Sequence, residues 1–234
     1  MDPPSEAVSV LINVTRAQPP DTKVAWIAQG SLRNVAGALY HAPALARRIT
    51  RLYIMGGNLM RSEFNFRADA EATAFVLALP HVPRFVVTIQ TCQWAVVHKD
   101  ALLNTLGAPR CKGSYASQHL RRLREHAELM MAVNAAGHWG PLPALHGEEK
   151  LGFFPWDAVA ISAAVDGEEA FFADIRCQRL NATGDRTVAT DSSCDDPAAS
   201  FVPYVFRPHP FVERLLDRLC RDGKAAGEQV AQPS

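Results

Sequence analysis

The chain has 234 residues, enough for one sizeable domain with its own core. It is 48% hydrophobic and 21% charged, with 24 Lys and Arg against 24 Asp and Glu, a balance that excludes an electrostatic grip on nucleic acid or on acidic membranes. No run of about 18 apolar residues occurs, which excludes a membrane-spanning helix.

In chain order, EAVSVLINVTRA predicts a helix with Val8, Leu11 and Ile12 on one side. Pro19-Pro20-Asp21 ends it, and KVAWIAQG predicts a short buried strand over 23–29. GSLRNVAGALYHAP gives a turn and a helix closed by Pro43, and ITRLYIM is the next strand, ending in Gly56-Gly57. ADAEATAFVLAL is helical, with Asp69 where an acid complements the helix dipole. RFVVTI predicts a β-branched strand over 84–89. Residues 113–134 predict a longer amphipathic helix whose apolar stripe runs Leu120, Leu123, Ala127, Met130. A loop-rich stretch over 136–156 precedes a helix from 157, a strand ADIRCQRL and a hairpin-like NATGDRTVATDSS. The terminal helix PFVERLLDRLCR closes the domain.

This alternation predicts an α/β fold with a mostly parallel central sheet flanked by helices. No internal linker is visible, so one domain is expected over 1–222, followed by a flexible tail over 223–234. The five cysteines (92, 111, 177, 194, 220) are odd in number and never form a CxxC pair, which predicts reduced thiols rather than a disulfide frame or a zinc site. The stretch MDPPSEAVSV has neither the basic nor the apolar part of a secretory signal, so a cytoplasmic location is expected.

The most informative stretch is MGGNLMRSEFNFRADAEA, residues 55–72. It lies between a strand and a helix, where parallel α/β sheets place their ligands. Gly56 and Gly57 allow a sharp turn and a close approach. Asn34, Asn58, Glu63, Asn65 and Thr91 would converge on the same edge. Amides and a carboxylate without Lys or Arg suit a neutral, hydroxyl-rich ligand, because each hydroxyl both donates and accepts. The plainer alternative makes Asn58 and Asn65 turn residues, Glu63 a solvated side chain and Asp69 a helix cap.

These residues resemble the nucleoside hydrolase family, the inosine–uridine type N-ribohydrolases. Gly30-Ser-Leu-Arg-Asn34 stands for a GPLTN-like turn, followed by Met55-Gly-Gly, Glu63-Phe-Asn65 and the DPEAA-like Ala68-Asp-Ala-Glu-Ala72. Ile89-Gln90-Thr91 stands for a DxT-like turn, and Trp156-Asp157-Ala-Val-Ala160 for an HDPLA-like helix start. The resemblance runs from about residue 5 to about 220.

What it implies is calcium-assisted hydrolysis of the N-glycosidic bond of a ribonucleoside through an oxocarbenium-like transition state. Asn58, Glu63 and Asn65 would bind ribose hydroxyls, Met55 would form part of the sugar pocket, and the Thr91 carbonyl with the Asp157 carboxylate would ligate Ca2+. Trp156 stands where many members carry a His that protonates the leaving base. A tryptophan there resembles the purine-specific, inosine–adenosine–guanosine branch, in which the indole stacks on the base; the plainer alternative makes Trp156 a core residue. The family also implies a homo-oligomer.

One departure is large. The family's DxDxGxDD cluster, carried on its first strand, does not occur in these 234 residues. The general base is therefore absent, most calcium carboxylates are missing, and the sheet lacks its first strand. Two readings stay open: a purine-nucleoside hydrolase, and a catalytically inactive homologue that keeps a nucleoside pocket for binding or assembly.

Overall fold

The computed structural model describes residues 4–60, 62–114, 118–135, 152–182 and 187–221. Among these the strands are β1 (Val24–Ala28), β2 (Ile49–Met55), β3 (Arg84–Val87), β4 (Val97–His98), β5 (Gly152–Phe153), β6 (Phe172–Ala182), β7 (Thr187–Asp191) and β8 (Ser200–Phe206). The chain divides into two compact units, Met1–Cys92 with Trp156–Phe206, and Gln93–Pro155 with Arg207–Ser234. Each unit is assembled from two separated stretches, so no linker marks the division in the sequence. No described helix is long and apolar enough to cross a membrane.

The first unit is a six-stranded sheet in the order β1-β2-β3-β8-β6-β7. β1, β2, β3 and β8 pair in parallel, and β6 runs antiparallel to both β8 and β7. The fold is thus α/β with a mostly parallel sheet, as its alternating strands and helices dictate. The helix Glu6–Ala17 begins at Ser5, whose hydroxyl accepts from Val8 N, and it buries Val8, Ile12 and Thr15. Thr15 also accepts a hydrogen bond from Trp26 Nε1 at 3.3 Å, which fixes that helix to β1. The apolar cluster beneath includes Leu32, Leu39, Leu52, Ile54, Val76 and Val86.

Arg84 is fully buried. Its guanidinium donates to the carbonyls of Val76, Leu79 and Ala199 and to Ser200 Oγ, and burial brings its pKa down to about 10. It joins the helix Ala70–Ala78 to β3 and β8.

Three elements depart from the sequence reading. The strand predicted over 84–89 ends at Val87, because Thr91 N and Cys92 N both turn back to Thr88 O and form the helical turn Ile89–Cys92. The helix predicted over 113–134 spans Leu120–Ala135 among the described residues, and Gly113, at φ +84°, lies outside helical space. β8, with Pro203 in its middle, is a strand that the element-by-element sequence reading does not contain. The β3 ladder ends at Phe85↔Phe201, two residues short of that proline, so its missing N–H interrupts no bond to β3.

The expectation of reduced thiols is corrected. Cys177 and Cys194 form a disulfide with Cα atoms 5.1 Å apart, and Cys92 is free and buried. In the second unit Cys111 and Cys220 form another, across 109 residues of sequence. Such separations are invisible to spacing arguments, which see only neighbours along the chain. The cytoplasmic expectation loses the thiol argument with it.

The second unit pairs β4 with β5 in antiparallel fashion. Val97, Leu102, Leu106, Ala127 and Leu216 form its core, drawn from the helices Lys99–Gly107, Leu120–Ala135 and Pro208–Cys220. The predicted tail over 223–234 lies outside the described residues.

Candidate active site

The carboxyl ends of β1 and β2 open side by side in the first unit. After Met55 the chain turns through Gly56 and Gly57. A Cβ on Gly56 would sit 2.4 Å from the Phe66 ring, and Gly57 holds φ +86°. Both positions therefore require glycine, one for the close ring and one for the left-handed backbone.

Glu63 caps the short helix Phe64–Ala68. It is 8% exposed, against the alternative that it is solvated. Its Oε2 accepts from Gly57 N and Phe66 N at 3.0 Å each, and Oε1 accepts from Asn65 N at 2.8 Å. One carboxylate thus closes the turn and starts the helix. Asn65, also buried, donates through Nδ2 to the carbonyls of Met55 (3.0 Å) and Gln29 (3.1 Å), joining the ends of β1 and β2. Met55 is 2% exposed, and its Sδ also accepts from Asn65 Nδ2, at 3.3 Å.

Asn58 plays the turn role of the plainer alternative. Its Oδ1 accepts from Met60 N at 2.9 Å and from Gln90 Nε2 at 2.6 Å. Asp69 caps the helix Ala70–Ala78 through Ala72 N at 3.0 Å and pairs with Arg33 at 2.7 Å. These two contacts hold its carboxyl below the usual carboxylate range, the backbone bond contributing most.

Trp156 and Asp157 open the helix Trp156–Asp166. Trp156 is half-buried, and its carbonyl lies 3.8 Å from Cys92 Sγ. Asp157 is accessible as a residue, yet its carboxyl is pushed up in pKa, first by desolvation and then by the charge of Glu63. Burial, with the charges of Asp157 and Glu63, pushes the Cys92 thiol well up, so it rests neutral. Glu63, Asp157 and Cys92 therefore share one electrostatic neighbourhood. Thr91 turns its hydroxyl elsewhere, donating to Pro203 O at 2.7 Å. Asn34 is exposed and lines a cleft of about 560 Å³ with Gln29, Gly30, Ser31 and Arg33.

Sequence reasoning missed Gln29, Gln90 and Thr187. Gln29 accepts from Asn65 through its carbonyl and donates through Nε2 to Asp157 O at 3.1 Å, so it ties both halves of the site. Its place at the end of a predicted strand, before Gly30, was the available signal. Gln90 Oε1 accepts from Leu59 N, and Thr187 N donates to Asn58 O across 129 residues, for which no local signal exists.

Calcium takes about six to eight oxygen ligands. Among the described residues no group of three or more His, Cys, Asp or Glu could hold a metal ion. Glu63 accepts from three backbone N–H groups, and Asp157 is the neighbouring carboxylate, without a side-chain hydrogen bond among the described residues. These residues do not make up a calcium site by themselves.

A family model described as inosine-uridine preferring nucleoside hydrolase matches residues 2–208. No curated protein matches the chain by sequence. Among solved structures, the inosine-uridine preferring nucleoside hydrolase of Bacillus anthracis superposes with TM-score 0.64 at 18% identity, covering 92% of this chain and 65% of that one. The purine-preferring ribonucleoside hydrolase of Gardnerella vaginalis gives 0.67 at 17% identity, covering 92% and 66%. An inosine-guanosine nucleoside hydrolase gives 0.67 at 18%, covering 93% and 68%. The likeness shows a shared fold, and the chain spans about two thirds of the length of these structures.

Proposed function

Because this chain belongs to the inosine–uridine preferring nucleoside hydrolase family, we propose that its crevice binds a purine ribonucleoside and serves cleavage of the N-glycosidic bond to base and ribose. The observation that carries this is the convergence of Gln29, Glu63, Asn65 and Asp157 at the ends of β1 and β2. A carboxylate offers about four acceptor sites. Glu63 fills three with backbone N–H groups, leaving about one for a ribose hydroxyl. Asn65 spends its amide donors on two strand-end carbonyls, which keeps its Oδ1 as the acceptor that the reading assigns to a ribose hydroxyl. Met55, whose Sδ and carbonyl both lie against Asn65 Nδ2, is the sugar-pocket residue of the family resemblance. The half-buried Trp156 offers a π-face to a purine leaving group.

Asp157 and the Thr91 carbonyl are the groups the family resemblance assigns to calcium, whose chemistry would be to hold ribose hydroxyls and polarise a water; the two do not make up a site for it by themselves. The DxDxGxDD cluster to which the family resemblance assigns the general base does not occur in these 234 residues; general-base catalysis contributes about 10²–10⁴ in rate. Binding without turnover is the second reading, favoured by the internal commitment of Glu63 and Asn58. The homo-oligomer implied by the family goes with either reading.

Ribose release from inosine and guanosine, with calcium and with a chelator, tests the first reading. Calorimetric titration of the same nucleosides tests the second. Calcium-dependent release that falls in Trp156→Ala and Asp157→Ala supports hydrolysis. Binding without release establishes the pocket as a binding module, and neither response overturns both.

A further inference from the structure

We propose that Asn13 carries an N-linked oligosaccharide. The residues Asn13-Val14-Thr15 form an Asn-x-Thr acceptor triplet on the helix Glu6–Ala17. The triplet alone is a short motif, and the disulfides supply the independent observation. Four of the five cysteines pair, as Cys111–Cys220 and Cys177–Cys194, and the fifth is buried. Such a frame forms and persists in oxidising compartments, and in one of these, the secretory lumen, oligosaccharides are transferred to this triplet.

The helix places the acceptor correctly. Successive residues turn by about 100°, so Asn13 and Thr15 lie on opposite sides. Asn13 is exposed, and a glycan on it projects into water. Its neighbours Val10 and Val14 are 55% and 57% exposed, an apolar pair that a bulky hydrophilic group would shield. Thr15 is 2% exposed, with its hydroxyl donating to Leu11 O at 2.9 Å and accepting from Trp26 Nε1. The folded chain therefore withholds the threonine that the transferase must read, so transfer precedes the docking of this helix on β1. In that step Asn13 Nδ2 forms a C–N bond to the anomeric carbon of an oligosaccharide carried on a polyprenyl pyrophosphate. The sugar–phosphate bond breaks, the lipid pyrophosphate leaves and the amide gives up one proton. A second triplet, Asn181-Ala182-Thr183, ends outside the described residues.

The test is peptide mapping of the protein from its native source under non-reducing conditions, before and after an amide-cleaving glycosidase in heavy-oxygen water. The expected result is a glycopeptide containing Asn13 that becomes a heavy-labelled aspartate, together with one free thiol per chain. Asn13→Gln, an exposed change that leaves the Thr15 bonds intact, should remove a glycosidase-sensitive mobility shift in the same host. Unmodified Asn13 in the bulk protein, an undiminished shift in Asn13→Gln, or five free thiols would each overturn the proposal. Nucleoside binding and release are read separately, so this outcome and that of the proposed function stay distinguishable.

Discussion

At the scale of single residues, Glu63 and Asp157 are neighbouring carboxylates with different work. Glu63 accepts from three backbone N–H groups, so Glu63→Ala strands three buried donors. Each unsatisfied group costs about 1–3 kcal/mol, and partial relaxation makes a net loss of about 2–4 kcal/mol the expectation. Urea denaturation measures it, and a loss under 1 kcal/mol, roughly that of an ordinary surface change, would contradict the capping account. Asp157 is raised by desolvation and by Glu63. Its folded pKa lies above its unfolded one, so its contribution is present below the unfolded pKa and is lost as pH rises through the folded value. Asp157→Asn should therefore melt higher than the parent at pH 7 and equally at pH 3. A melting series across that range decides it, and a difference that grows toward acid would reverse the sign.

At the scale of elements, Asp69 separates a cap from an ion pair. It starts the helix Ala70–Ala78 through Ala72 N, and it holds an Arg33 side chain that is 74% exposed. Losing an N-cap costs about 0.5–2 kcal/mol, whereas exposed pairs contribute about 0–1 kcal/mol. Asp69→Ala should thus destabilise more than Arg33→Ala, with the double variant close to Asp69→Ala in denaturant titrations. Equal losses would mean the pair matters as much as the cap. The cap was legible because an acid preceded a helical run in ADAEATAFVLAL. The end of β3 was not, because Val86-Val87-Thr88-Ile89 reads as strand throughout and only the return of two amides to Thr88 O ends it.

At the scale of the whole molecule, the disulfides close loops of very different length. Cys111–Cys220 spans 109 residues and Cys177–Cys194 spans 17. Chain-entropy estimates give about 4.7 kcal/mol for a loop near 100 residues and about 3 kcal/mol for one near 15. Cys111→Ser should therefore lower the denaturation midpoint of the second unit more than Cys177→Ser lowers that of the first. Spectroscopic unfolding of each variant, with and without reductant, checks the order. Reductant that leaves the parent unchanged would count against both bonds.

The sequence by itself determined the class of fold and the family. Hydrophobic periodicity is local, so the helix Glu6–Ala17, β2 and the terminal helix could be read from a dozen residues each. The order Gly30, Asn34, Met55-Gly-Gly, Glu63-Phe-Asn65 carried the resemblance to the family. What the tertiary structure decided was non-local: the Cys111–Cys220 pair, the bridge from Gln29 to Asp157 across 128 residues, and the commitment of Glu63 and Asn58 to their own backbone. Hydrogen-bond capacity is finite. Whether a polar side chain serves a ligand or the fold depends on which donors the fold brings within 3 Å of it, and no one-dimensional pattern carries that information.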